Sequence, residues 1–139
     1  MTVYLDENMP KHLAEGFNII QNPENLKHGR QAITVKFLPD VYGFGTDDID
    51  WIPLVGKEGA FVITQDIHIT KRKDEIEAYQ KCGVGLFLLK GTSKKSTLSV
   101  WEMTQALAKN WEAMVKVMLT EKPPFAYQIQ LNRTMKRWK

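Results

Sequence analysis

Short apolar runs alternate with longer stretches of helical period along this chain. Thr2 to Leu5, Ile33 to Leu38, Ala60 to Gln65 and Leu86 to Leu89 are compact, largely β-branched or aromatic, and bounded by charged or turn-forming residues, the signature of strands. Leu86-Phe87-Leu88-Leu89 has no polar member and reads as a strand buried on both faces. Between the runs lie helix signals. Pro10 suits a first helical turn, with Asn8 as candidate cap and an end near Gly16,. Residues 21–31 read as a polar loop. Gly43-Phe44-Gly45-Thr46 is a turn into a helix capped by Thr46 or Asp47. Its apolar side is drawn from Ile49, Trp51, Ile52 and Val55, and Pro53 is expected to shorten or kink it,.

Thr70 to Lys81 predicts a charged helix with Ile76 and Tyr79 inward. The longest helix covers about residues 97–119. Leu107, Trp111, Met114, Val115 and Met118 recur at its inward spacing, Trp101 and Trp111 are expected on a stripe that faces the core or, alternatively, a partner, and Ser99 with Glu102 forms a capping box,. Pro123-Pro124 stops it, and Phe125, Tyr127, Ile129 and Leu131 alternate with polar or small residues as a half-exposed strand,. Alternating strands and helices predict an α/β fold, a three-layer α/β/α domain with a mostly parallel central sheet. The expected organisation is one domain over residues 1–131 and a basic tail over 132–139.

Charge refines this picture. The net charge is +3, yet residues 119–139 hold Lys122, Arg133, Lys136, Arg137 and Lys139 against Glu121 alone. The body is therefore slightly acidic and the tail basic, which suits contact with a polyanion; Trp138 within the tail could stack on a base. Cys82 is the sole cysteine, so no internal disulfide forms and a cytoplasmic location is expected,. No apolar run is long enough to span a bilayer,.

The chemistry lies at the strand ends. Asp6 closes the first run and Asp66 the third, while Asp47-Asp48-Ile49-Asp50 opens the intervening helix. Parallel strands direct their C-terminal ends to one crevice, and carboxylates gathered there repel unless a cation sits among them. Hard oxygen ligands favour Mg2+ or Mn2+. Asp48 is preferred to Asp47 on spacing, because Trp51 and Leu54, three and six residues on, are expected to be buried on the far side of the helix. Glu7 is a reserve ligand. Lys71 and Arg72 follow Asp66 and are candidates for holding a phosphate,. No His or Cys spacing resembles a zinc site,.

Together, Tyr4-Leu5-Asp6-Glu7-Asn8-Met9-Pro10, Gly45-Thr46-Asp47-Asp48-Ile49-Asp50-Trp51-Ile52 and Val62-Ile63-Thr64-Gln65-Asp66 resemble the PIN-like ribonuclease superfamily, most closely its compact VapC-type toxins and related small Asp-Glu-Asn proteins. The resemblance covers about residues 2–90. It implies an Mg2+-dependent endoribonuclease, the toxin of a toxin–antitoxin pair, with Asp6, Asp48 and Asp66 as catalytic metal ligands supplemented by Glu7. Asn8, Lys71 and Arg72 would then contact RNA. The implied partners are an RNA substrate, a cognate antitoxin and a possible second copy in a homodimer. The family's fourth acid has no obvious counterpart after Asp66, and that gap leaves a second expectation: a PIN-like scaffold that no longer cuts and binds protein or RNA. A receiver or phosphatase ranks below both, because the acids do not follow its order.

Overall fold

The computed structural model describes residues 1–65, 73–91 and 97–138. Five parallel strands, β1 (Thr2–Leu5), β2 (Thr34–Phe37), β3 (Phe61–Thr64), β4 (Gly85–Leu89) and β5 (Phe125–Ile129), and an antiparallel sixth, β6 (Lys136–Arg137), form one sheet in the order β2-β1-β3-β4-β5-β6. The helices are α1 (Lys11–Lys27), α2 (Leu38–Tyr42), α3 (Asp48–Glu58), α4 (Lys73–Lys81) and α5 (Val100–Thr120).

Strand side chains alternate between faces, and this alternation sorts the core into two halves. Val3, Leu5, Val35, Phe37, Phe61, Ile63, Phe87 and Leu89 pack with α1 and α5, where Phe17 and Trp111 meet edge to face at 4.9 Å. Tyr4, Val62, Leu86 and Leu88 pack with α3 and α4. The result is the expected α/β/α sandwich. Buried on both faces, β4 matches its uninterrupted apolar sequence.

Helix α1 runs eleven residues beyond its expected end, through the segment that reads as a polar loop. Its inward stripe is Leu13, Ala14, Phe17, Gln21 and Asn25. The last two are amides, and both donate to the Ile33 carbonyl, from Gln21 Nε2 at 2.7 Å and Asn25 Nδ2 at 3.0 Å. The stripe thus continues in hydrogen-bonding groups that hydropathy does not register. Pro23 sits inside the helix. The carbonyl it leaves without a helical donor belongs to Ile19, an exposed residue, where the missing bond costs least,. Pro53 stands likewise four residues after exposed Ile49, and α3 continues through it. Asn8 does not cap α1: Pro10 holds the cap position without a side-chain bond. The capping box of α5 forms as read, with Ser99 Oγ accepting from Glu102 N at 3.2 Å and Glu102 Oε1 accepting from Ser99 N at 2.9 Å.

Two exposures differ from expectation. Trp111 is buried, but Trp101 is 82% exposed, because it falls off the α5 stripe that begins at Met103. The chain end returns to the sheet: Lys136 and Arg137 pair with β5, and Trp138 N donates to Ala126 O at 2.8 Å. Among the described residues, no helix is long and apolar enough to cross a membrane.

Candidate functional site

The crevice follows from connectivity. The chain leaves β1 toward the α1 face, whereas it leaves β2 and β3 toward the α3 and α4 face. Adjacent strands that send their chains to opposite faces open a gap at their C-terminal ends. Asp6 stands in that gap, immediately after β1.

Asp6 is 7% exposed. Its backbone extends the pairing of β1, Asp6 N donating to Ile63 O at 3.2 Å. Its carboxylate is held on both oxygens. Oδ1 accepts from Asn8 N at 3.1 Å, and Oδ2 accepts the hydroxyl of Thr64, the last residue of β3. An ionised carboxylate oxygen accepts more than one such contact. Asp66, two residues beyond Thr64 in sequence, lies outside the described residues, as do Lys71 and Arg72.

Glu7 is exposed, and its Oε2 accepts from Gly45 N at 3.1 Å. That bond draws the loop between α2 and α3 to the end of β1. Thr46 secures the loop from its own side, with Oγ1 donating to Tyr42 O at 2.7 Å. The same loop delivers Asp48 as the first residue of α3. Asp48 is half-buried, and its Oδ1 accepts from Trp51 Nε1 at 2.9 Å. Trp51 therefore lies on the same side of α3 as Asp48, and Leu54 is 47% exposed; the far-side pattern expected from spacing does not form. Asp48 also lines a groove of about 510 Å3 shared with Ile52, Lys73, Asp74, Glu75 and Ala78, between the starts of α3 and α4. Asn8 contributes its backbone to Asp6, and its side chain is exposed.

Gln65, buried at the end of β3, accepts Leu98 N on Oε1 at 3.2 Å, which brings the start of α5 to the same sheet edge. Thr64 and Gln65 stand in a segment that carries the family resemblance but have no expected role there; the signal available was their place directly before Asp66.

The chemistry of the donors suits a hard divalent cation. Asp6, Glu7 and Asp48 offer carboxylate oxygens only, with no thiolate or imidazole among them. Among the described residues, no three acids, histidines or cysteines stand close enough together to hold an ion. No curated protein and no solved structure matches this chain. A family model for the PIN-like domain matches residues 1–91, about two thirds of the chain, and the chain therefore belongs to the PIN-like domain family.

Proposed function

We propose that this protein is a metal-dependent endoribonuclease, the toxin of a toxin–antitoxin pair. PIN-like domains are generally nucleases, and the observation that carries the reading is Asp6: a buried carboxylate at a strand end, fixed on both oxygens and set at the crevice. Asp6, Asp48 and Asp66, with Glu7 beside them, would hold Mg2+ or Mn2+. A divalent ion in such a site supplies positive charge to the scissile phosphate and makes a nearby water more acidic. The chain's own contribution is positioning. Thr64 and Asn8 orient Asp6, Gly45 orients Glu7, and Trp51 orients Asp48. Lys71 and Arg72 would hold the RNA backbone beside them. A small antitoxin would silence the enzyme by covering the crevice.

The competing reading is a PIN-like scaffold that binds RNA or protein without cutting. One observation favours it: the Glu7 and Asp48 carboxylates are already fastened to their own chain. Incubation of the purified protein with total RNA and Mg2+ or Mn2+ separates the two. We expect cleavage that both chelator and Asp6→Asn abolish, with a loss on the order of a hundredfold or more. Intact RNA at high protein concentration with both metals would leave the binding scaffold.

A further inference from the structure

Helix α1 turns amides inward and aliphatic side chains outward. Gln21 and Asn25 are 2% and 5% exposed, whereas Ile19 is 72%, Ile20 67% and Leu26 88% exposed. Among the described residues, no other helix leaves three large apolar side chains in water. An apolar patch of this kind marks an interaction surface, and the order of residues across it identifies what covers it. Residues four apart form a row along a helix surface. One such row reads Glu15, Ile19, Pro23, Lys27, and all four are exposed. It has an acid at one end, a base at the other and apolar side chains between. The Glu15 and Lys27 side chains are 60% and 74% exposed, and the ion pairs they make within the chain, with Lys11 and Glu24, stand at 3.9 Å. Both charges therefore remain open to a partner.

We infer that this face of α1 is a self-association surface, on which two copies of the chain pair through the row Glu15-Ile19-Pro23-Lys27, antiparallel and crossed. The row is complementary to itself. A two-fold axis that sets residue i against j also sets j against i. Glu15 then meets Lys27 of the second copy at one end, Lys27 meets Glu15 at the other, and Ile19 meets Pro23 twice between them. Parallel rows would set acid against acid and base against base, so the charges fix the direction. Helices packed through rows of this spacing cross at about 50°. The midpoint of the row falls at position 21, which leaves Ile20 close to the axis beside its counterpart, and Leu26 widens the patch at its flank. The inference does not depend on the nuclease reading. Helix α1 starts at Lys11, next to the crevice end of β1, and the midpoint of the row lies about 15 Å further along the helix, so the contact is clear of Asp6. One crossing of two helices is smaller than a standard interface, and the expected dissociation constant is about 10 µM.

Sedimentation velocity of the purified chain, from about 1 µM to about 200 µM, tests this. We expect the mass to rise with concentration from the 16.0 kDa monomer to twice that value. Ile19→Asp should weaken the association about tenfold or more. Glu15→Lys and Lys27→Glu should each weaken it about fivefold, and the two together should return it to within about twofold of the unchanged protein. The altered side chains are all exposed, so the variants keep their fold, which circular dichroism and thermal melting check. A chain that stays monomeric over the whole range overturns the inference and leaves the patch to a different protein. A dimer that Ile19→Asp does not weaken also overturns it, because the contact then lies elsewhere. Failure of the double charge exchange to restore what each single reversal loses overturns the antiparallel pairing.

Discussion

Asp6 shows how a buried acidic side chain is held in one orientation. A buried carboxylate is costly unless its oxygens are occupied, and Thr64 and the Asn8 backbone occupy them. Thr64 is the positioning group in this pair. Thr64→Val keeps the shape of the side chain and removes the hydroxyl, and we expect it to weaken divalent-ion binding about tenfold. Thermal shift against added Mn2+ reads this without any activity assay, and an unchanged Mn2+ dependence would make the hydroxyl purely structural.

A second residue-scale network lies on the α3 side of the sheet. Tyr4 is buried in β1, and its hydroxyl donates to both oxygens of Glu58 at 2.6 Å, while Tyr42 donates to the same carboxylate at 3.4 Å. Burial, reinforced by the Glu58 carboxylate, pushes the Tyr4 phenol well above its ordinary range and raises Tyr42 as well. The folded state therefore holds these protons more tightly than the unfolded chain, whose phenols ionise near 10.0. Their stabilisation is complete below that pH and is lost as pH rises beyond it. Melting temperatures between about pH 9 and about pH 11 should fall, and less steeply in Tyr4→Phe. At neutral pH the same variant should cost about 1 kcal/mol, since a single hydrogen bond is lost.

At the scale of elements, helices here are placed by a few close contacts. Gly56 of α3 faces the end of α4 so closely that a Cβ would stand 2.3 Å from the Cys82 carbonyl oxygen. That neighbour is backbone and cannot rotate away. Gly56→Ala must separate the helices, at a cost of about 2 kcal/mol by urea denaturation; a smaller loss would mean that α4 shifts freely. The start of α5 depends on its capping box instead. Ser99→Ala should lower stability by about 1 kcal/mol, and Ser99→Asp should retain most of it.

At the scale of the molecule, the sheet closes with β6 beside β5. Arg137 lies over the Tyr127 ring at 5.0 Å and pairs with Glu121, and the Tyr127 hydroxyl also donates to Glu121. Trp138 lines an apolar cavity of about 140 Å3 between α4 and β5, together with Tyr79, Leu86 and Phe125. The basic tail is thus partly a strand, and part of its charge is committed to Glu121. Removal of residues 133–139 should cost about 1–2 kcal/mol, the scale of a partly buried tryptophan, while the PIN-like segment over residues 1–91 remains intact.

The sequence by itself determined what local pattern can encode. Apolar runs of strand length, the inward stripe of α5 from Leu107 to Met118 and the Ser99–Glu102 box are all short-range signals, and each formed where it was read. The α/β class and the family follow from their order. Tertiary structure decided whatever depends on partners distant in the chain. Gln21 and Asn25 extend α1 because Ile33 O lies across from them. Glu7 fastens a loop thirty-eight residues away, and Thr64 meets Asp6 across fifty-eight. Trp101 stays in water because it falls off the inward stripe of α5, which begins at Met103. Burial and hydrogen-bond partnership belong to the packed molecule, whereas periodicity and composition belong to the chain, and the crevice around Asp6 is made where the two meet.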